Sequence, residues 1–352
     1  MRTTAVLVCL GLMAVDATAQ TLPGGRTAIE AVAAVASSSD RADDPFVWLD
    51  FATTVRVNSS LDVIVRPYAR RLPGGDWDAL LYQAQVRYQP INSLRIDAGI
   101  ISSPLGLGAL ELRPDLNPLV SYPFYYFAPL PAFDQFSNQL QLLSGGYPLG
   151  AVVSWSGSRW DARGGITDGT PARYRNVLDD GPSPAPQFVA GGGFTPIVGL
   201  RFGAGVAAGK YRRSDDDYYR PSYGSMPTDA RAVVVNVEAE YSFRYTRLSG
   251  EWVRDRFETD GDPVVARGFY LQAVQTLTPR TFAAARWTRA STPFQTPAGL
   301  VRRARSAAEV TGGYRLTPQL TLKAGYQASQ PYGVSEWSHA AVWSLVWAQR
   351  WF

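Results

Sequence analysis

The sequence has little of what enzymes and helical membrane proteins require. One histidine and one cysteine in 352 residues leave few side chains for acid–base or nucleophilic chemistry. A transmembrane helix needs about 18 consecutive apolar residues, and the nearest approach, residues 5–15, is too short, so helical spans are excluded. What is present instead is 12% aromatic residues, 32 glycines and 10 tryptophans. These residue types are favoured in strands, in turns and at membrane interfaces.

The first nineteen residues predict export. Arg2 provides a short basic start, residues 5–15 are apolar, and Ala17-Thr18-Ala19 is a small-x-small cleavage site. We therefore expect residues 1–19 to be a signal peptide and residues 20–352 to form a single domain. Cleavage at that site would remove Cys9, so the exported part would be stabilised without disulfides.

Long segments alternate apolar and polar side chains with a period of two. In residues 318–330, Leu320 and Leu322 fall on one face of an extended strand, and Thr321 and Lys323 fall on the other. Strands of about 10 to 14 residues exceed the five or six usual in soluble sheets and fit a tilted strand across a bilayer. A soluble β-sandwich is the alternative, but the mixed polar face suits a wet lumen better than a packed interior.

Turn lengths give independent support, because short turns such as Thr278-Pro279 and Thr317-Pro318 alternate with longer polar loops. This alternation is typical of outer-membrane barrels, with periplasmic turns and extracellular loops. We predict an all-β, transmembrane antiparallel barrel of about 16 strands. The predicted strands are 27–37, 46–57, 61–70, 77–89, 93–101, 148–156, 159–167, 187–195, 198–211, 230–243, 245–256, 265–277, 280–290, 303–316, 318–329 and 337–352. The predicted long loops are 38–45, 71–76, 102–147, 168–186, 212–229, 257–264, 291–302 and 330–336.

Some strand assignments leave alternatives open. If residues 27–37 were a tail and residues 138–144 a strand, the number of strands would stay the same, but the long loops would lie on the opposite side of the membrane. A count of 14 also stays open. Within residues 79–89, the alternation places Leu80 and Tyr82 on the lipid-facing side.

The chain ends on Phe352, within a final segment rich in tryptophan. Here the sequence resembles the bacterial outer-membrane porins, whose terminal phenylalanine is read by the barrel-assembly machinery. Arg350 departs from that pattern, which usually has an apolar or aromatic residue at this position. Residues 97–106, with the sequence DAGIISSPLG, resemble a passage before a long loop in phosphate-selective-type porins. The resemblance implies an outer-membrane location, contact with lipid and lipopolysaccharide, and assembly as a homotrimer.

Catalytic and cofactor sites find little support in the sequence. The single histidine, His339, is adjacent to Ser338, and neighbouring strand residues point to opposite faces, so the two cannot act as base and nucleophile. The acidic runs 215–217 and 258–262 could bind Ca²⁺, but we interpret them as solvated loops. We therefore expect no enzyme, no cofactor and no metal. We also expect no nucleic-acid partner, because the basic residues are mixed with acidic ones.

The loop 102–147 is the most unusual segment, since a loop of this length is uncommon without a function. Its aromatic stretch 121–133 either folds into the lumen and narrows it, or packs over the rim. We favour the inward position, because exposed aromatics would form a large apolar patch. The candidate constriction residues are Glu111, Arg113, Asp115, Tyr122, Tyr125, Tyr126 and Asp134.

The alternation also assigns charges to the lumen. The candidate pore-lining residues are Arg56, Arg66, Arg70, Arg87, Arg95, Arg201, Arg247, Arg286, Lys323, Glu238 and Glu240, with Asp50, Asp62, Asp97 and Glu251 as further carboxylates. Nine basic against six acidic side chains is a mild positive excess, which favours anions in a pore. We therefore predict a porin for passive diffusion of small hydrophilic solutes, with a mild anion preference. A structural or adhesive barrel with a plugged lumen is the alternative.

Overall fold

The computed structural model describes residues 27–126, 130, 140–143, 147–172, 186–211, 230–296 and 299–351. These residues form a closed antiparallel barrel in which each strand pairs with its chain neighbours and the first strand pairs with the last. The strands are β1 (Thr27–Ser38), β2 (Phe46–Asn58), β3 (Leu61–Arg71), β4 (Trp77–Ile91), β5 (Leu94–Ile100), β6 (Leu149–Ser156), β7 (Trp160–Thr167), β8 (Gln187–Ile197), β9 (Leu200–Lys210), β10 (Arg231–Phe243), β11 (Thr246–Phe257), β12 (Val264–Thr276), β13 (Thr281–Thr296), β14 (Gly299–Arg315), β15 (Leu320–Gln330) and β16 (Ser338–Trp351). The predicted fold class and the sixteen strands are confirmed.

The two ends of the barrel differ in their connections. Turns of two to four residues join β2 to β3, β4 to β5 and each later pair in the same sense, so they all lie at one end. The connections at the other end include residues 101–148, which follow β5. We call these the short-turn end and the long-loop end. Within residues 101–126 the structure has two 3₁₀ turns, Leu107–Leu112 and Phe124–Tyr126. No helix among the described residues is long and apolar enough to cross a membrane.

The hairpin of β13 and β14 corrects the predicted loop at 291–302. The two strands remain paired up to Thr296 and Gly299, so only residues 297–298 separate them. Pro293, inside the predicted loop, has no N–H to donate to a sheet ladder. Pairing of β13 with β12 ends at Ser291, however, so Pro293 lies where β13 is an edge strand and proline is tolerated.

A β-bulge in β4 corrects the predicted faces of residues 79–89. The register shifts between Arg66 and Pro67 of β3, where β4 contains the extra residue Tyr82. Pro67 has no N–H to donate, and its pairing with β2 is also missing. An extra residue reverses the alternation on one side of the bulge. Leu80 and Tyr82 are therefore buried inside the barrel instead of facing lipid.

The interior differs between the two ends of the barrel. Toward the long-loop end, two buried apolar clusters fill space inside the wall. One contains Leu105, Tyr126 and Phe257, and the other contains Trp48 and Tyr82. Toward the short-turn end, the inward positions carry charged side chains. The outer surface exposes large apolar side chains, as expected for a lipid-facing wall.

Candidate functional site

Residues 101–126 lie against the inner face of the barrel and cross from β5 toward β11. Leu105 reaches β9 at Gly205, where an added Cβ would lie 2.5 Å from the Leu105 Cδ2 atom. Gly106 has φ +96°, a conformation that L side chains rarely adopt, and it begins the turn Leu107–Leu112. A glycine on the wall and a glycine in the loop therefore allow the segment to approach the opposite strands closely.

Glu111, at the end of the first 3₁₀ turn, is buried among polar groups of β11, β12 and β13. Its Oε1 accepts hydrogen bonds from Arg247 Nη2 at 3.0 Å and from Gln272 Nε2 at 2.7 Å. Arg286 Nη1 lies 3.8 Å from Oε2. Burial raises the pKa of the Glu111 carboxyl above its ordinary value, and the Arg286 and Arg247 guanidinium groups oppose that shift.

Two tyrosines of the second 3₁₀ turn are fully buried beside Glu251 of β11. The Tyr126 hydroxyl donates to Glu251 Oε2 at 3.1 Å, and the Gly108 N–H donates to the same oxygen at 3.1 Å. The rings of Tyr125 and Tyr126 stack with centroids 4.9 Å apart. Burial, with the nearby Glu251 carboxylate, holds the pKa of both phenols well above the ordinary value, so they remain neutral.

A third set of contacts holds residues 113–121 to β13, β14 and β15. Glu309 accepts from the N–H of Val120 at 2.8 Å and of Ser121 at 3.1 Å, and from the Ser121 hydroxyl. Lys323 Nζ donates to three backbone carbonyls, those of Pro114, Asn117 and Leu119, at 2.5 to 3.3 Å. Arg286 Nη2 donates to the Ser121 carbonyl. Arg286 and Lys323 face the inside of the barrel, and both are buried by this segment.

Arg113 connects the loop to β1. Its guanidinium binds Asp115 at 2.7 Å and Glu30 at 3.4 Å, and Glu30 also accepts from Arg66 at 2.7 Å. Arg350 lies 3.4 Å from the same carboxylate. Arg66 further contacts Asp50, and Arg70 contacts Asp78. Glu30 is therefore the centre of an ion-pair network that joins β1, β3, β16 and the loop.

On β4 to β9, inward arginines stay partly exposed near the short-turn end; we call Arg87, Arg95, Arg163 and Arg201 the arginine ladder. Asp97 accepts from Arg87 and Arg95, each at 2.8 Å. Arg201 binds Asp161 at 2.9 Å and Glu238 at 2.6 Å, while Arg163 lies 3.9 Å from Glu238. The side chain of Arg95 is 46% exposed. The ladder has four guanidinium groups against three carboxylates.

The remaining predicted residues are placed as follows. Arg56 is exposed and pairs with Asp62 at 3.2 Å. Glu240 faces inward on β10 beside Arg201 in the register. Tyr122 packs against Phe46, with centroids 6.3 Å apart. Asp134, the acidic run 215–217 and Phe352 lie outside the described residues.

The candidate list omitted four residues that make the contacts above: Glu30, Asp161, Arg163 and Glu309. All four occupy inward positions of predicted strands, so the alternation that identified the other charges could have found them. In β7 the signal is weak, because the strand has only eight residues and two are glycines.

The histidine lies away from the lumen. His339 Nδ1 is 2.8 Å from the Tyr326 hydroxyl across the outer surface of β15 and β16. Ser338 instead bonds to Ser329. Among the described residues, no group of three or more His, Cys, Asp or Glu side chains is arranged to hold a metal ion.

Comparison with known proteins finds similarity in structure alone. No protein-family model and no curated protein sequence matches the chain. Among solved structures, OmpF of Salmonella typhi in complex with daunomycin has a TM-score of 0.60 at 11% identity, covering 92% of this chain and 97% of that chain. An anion-selective porin from Comamonas acidovorans has a TM-score of 0.59 at 12% identity, covering 92% and 99%. The chain therefore has the barrel fold of bacterial porins, and the resemblance inferred from sequence is confirmed at the level of the fold.

One prediction is corrected by the same comparison. A loop-deleted form of OmpT, an outer-membrane protein of Vibrio cholerae, is also similar, with a TM-score of 0.58, 12% identity, and coverage of 92% of this chain and 98% of that chain. A barrel shared at such low identity establishes the fold and leaves activity open. The prediction that the chain is not an enzyme was therefore wrong, because the fold does not exclude enzymatic activity.

Proposed function

We propose that this chain is an outer-membrane channel for small hydrophilic solutes, with a mild preference for anions. The observation that carries the proposal is the arginine ladder, because its guanidinium groups face inward and stay partly exposed where the apolar clusters end. In a low-dielectric wall, such charges raise the local concentration of counter-ions. The anion-selective porin from Comamonas acidovorans has a similar fold, which agrees with this direction.

The carboxylates of the ladder fix the positions of the arginine side chains. Asp97, Asp161 and Glu238 hold the guanidinium planes in place, so less side-chain entropy is lost when a passing anion is bound. The single excess positive charge of the ladder favours anions without trapping them. By contrast, Arg286 and Lys323 are engaged by residues 114–121, so we assign them to holding the loop.

The test is the zero-current potential of the purified protein in a planar bilayer under a KCl gradient. We expect open-channel steps, and we expect R95Q/R163Q to shift the potential toward cation preference, since the ladder then has more carboxylates than guanidinium groups. The matched control is R244Q/R280Q, which removes two arginines from exposed short turns, where salt screens them, and should shift the potential less. Absence of steps contradicts the channel. Equal potentials in wild type and R95Q/R163Q contradict the anion preference.

A plugged structural barrel is the second candidate, and a specific observation favours it. The two apolar clusters lie inside the wall, and one of them contains side chains of residues 101–126 that are at most about 1% exposed, such as Leu105 and Tyr126. A protein that folds but conducts no current would support this candidate. A homotrimer, lipopolysaccharide contact and recognition by the barrel-assembly machinery stay predictions.

A further inference from the structure

The outer surface of β10 to β14 contains an open apolar groove of about 880 Å³. Its floor consists of small residues that pair across neighbouring strands: Ala239 with Gly250, and Ala273 with Ala285. Larger side chains stand around this floor, among them Trp252. The groove is therefore a depression in the lipid-facing wall, formed where these small residues lie between larger side chains of the same strands.

A row of outward arginines lies directly above the groove, on the side of the long loops. Trp252 of β11 pairs with Phe269 of β12, and the next outward pair along the same strands is Arg254 with Arg267. On β13, Arg289 follows Trp287 in the same way. All three arginines are exposed. Two residues along a strand correspond to about 7 Å, so the charged row lies about that far beyond the aromatic row along the tilted strands.

These arginines have no carboxylate partner among the described residues. Arg231, Arg256 and Arg302 extend the row, and none of the six side chains forms an ion pair there; Arg302 donates to the Val265 carbonyl at 3.1 Å. The outward positions of β10 to β14 around the groove hold no Asp or Glu, and acidic side chains begin with Glu258 in the next loop. Like charges directly opposite each other, as at Arg254 and Arg267, destabilise a sheet. An anion between them would remove this repulsion.

The combination identifies the ligand chemistry. Aromatic side chains mark the membrane interface, and arginines just beyond them lie at the level of lipid headgroups. The guanidinium fork binds phosphate oxygens in pairs, while an apolar groove below accepts acyl chains. From Arg254 to Arg289 the row crosses three strands, about 10 Å, which suits more than one phosphate. A two-fold contact with a second copy would instead bring two unpaired arginine rows together.

We propose that this groove and the arginine row form a binding site for a lipid that carries several acyl chains and at least two phosphates, as lipid A of lipopolysaccharide does. The assignment rests on the proposed orientation, with the long loops outside, because that lipid occupies the outer leaflet. It does not depend on conduction. A barrel that binds lipid A but passes no current would overturn the channel and leave this site intact.

The test measures binding of fluorescent bisphosphorylated lipid A to the purified barrel in detergent. We expect R254Q/R267Q/R289Q to weaken binding at least about tenfold, since each arginine near a membrane surface contributes substantially to anionic-lipid binding. The matched control R159Q/R244Q/R280Q removes three exposed arginines at the short-turn end and should bind within about twofold of wild type. Migration of each variant as a folded barrel before heating shows that it has folded. A separate variant, Ala285→Leu, places a larger side chain on the floor and should weaken binding by filling the groove.

Four outcomes would overturn the proposal. Unchanged affinity in R254Q/R267Q/R289Q would show that the arginines do not hold the phosphates. Equal binding of lipid A stripped of its phosphates would show the same. Equally tight, arginine-dependent binding of phosphatidylglycerol would assign the site to phospholipid, and a change of oligomeric state in the triple variant without lipid would assign the surface to a second copy.

Discussion

At the scale of single residues, one carboxylate can hold a long segment in place. Glu309 accepts from two backbone N–H groups and one hydroxyl of Val120 and Ser121, and Thr311 donates to it at 2.7 Å. Hydrogen bonds to a charged group contribute about 1.5 to 3 kcal/mol each, and leaving buried donors without an acceptor costs a similar amount. Glu309 is 3% exposed, so water does not replace the lost acceptor.

We therefore expect Glu309→Gln to loosen residues 113–121 by about 1 to 3 kcal/mol, because the amide group cannot accept at both positions. Limited proteolysis of the folded barrel should cut this segment faster than in wild type. The matched control is Glu240→Gln, an inward glutamate on β10 that holds no loop residue among the described part of the chain. Equal cleavage in the two variants would show that Glu309 does not hold the segment.

At the scale of elements, the outer faces of β13 and β14 carry aromatic side chains toward each end and an apolar side chain between them. Trp287 lies toward the long-loop end and Tyr314 toward the short-turn end, while Val310 pairs with Ala285 between them. Aromatic side chains mark the two interfaces, so Val310 lies near the middle of the apolar band. Its side chain is 61% exposed, which only lipid or detergent would cover favourably.

Val310→Arg should destabilise the barrel by about 2 to 4 kcal/mol, the cost of a basic side chain at the bilayer midplane. Urea unfolding in lipid vesicles, followed by tryptophan fluorescence, measures the difference. Val310→Leu keeps the position apolar and should unfold close to wild type. If arginine were tolerated as well as leucine, this face would not meet lipid.

At the scale of the whole molecule, the strands could be predicted because their signal is local, whereas the interior contacts could not. Alternation with a period of two is visible within ten residues, and it gave all sixteen strands. Lys323 lies inside the barrel, and its partners are backbone carbonyls 204 to 209 positions away, which no side-chain pattern marks. The bulge at Tyr82 was missed for a related reason. One extra residue reverses a face without disturbing the alternation on either side.

The difference between the two ends also determines which way the barrel should sit in the membrane. Long loops belong outside and short turns in the periplasm, so Gly261 should be accessible on intact cells and Pro318 should not. An added side chain at Gly261 meets no heavy atom within 4 Å, and Pro318 lies exposed in a short turn, so a cysteine fits at either position. A maleimide linked to a polymer too large for the lumen should label Gly261→Cys directly, and Pro318→Cys only after the outer membrane is opened. The reverse pattern would show that the barrel has the opposite orientation in the membrane. The arginine row beside the groove would then face the inner leaflet, where lipid A is absent.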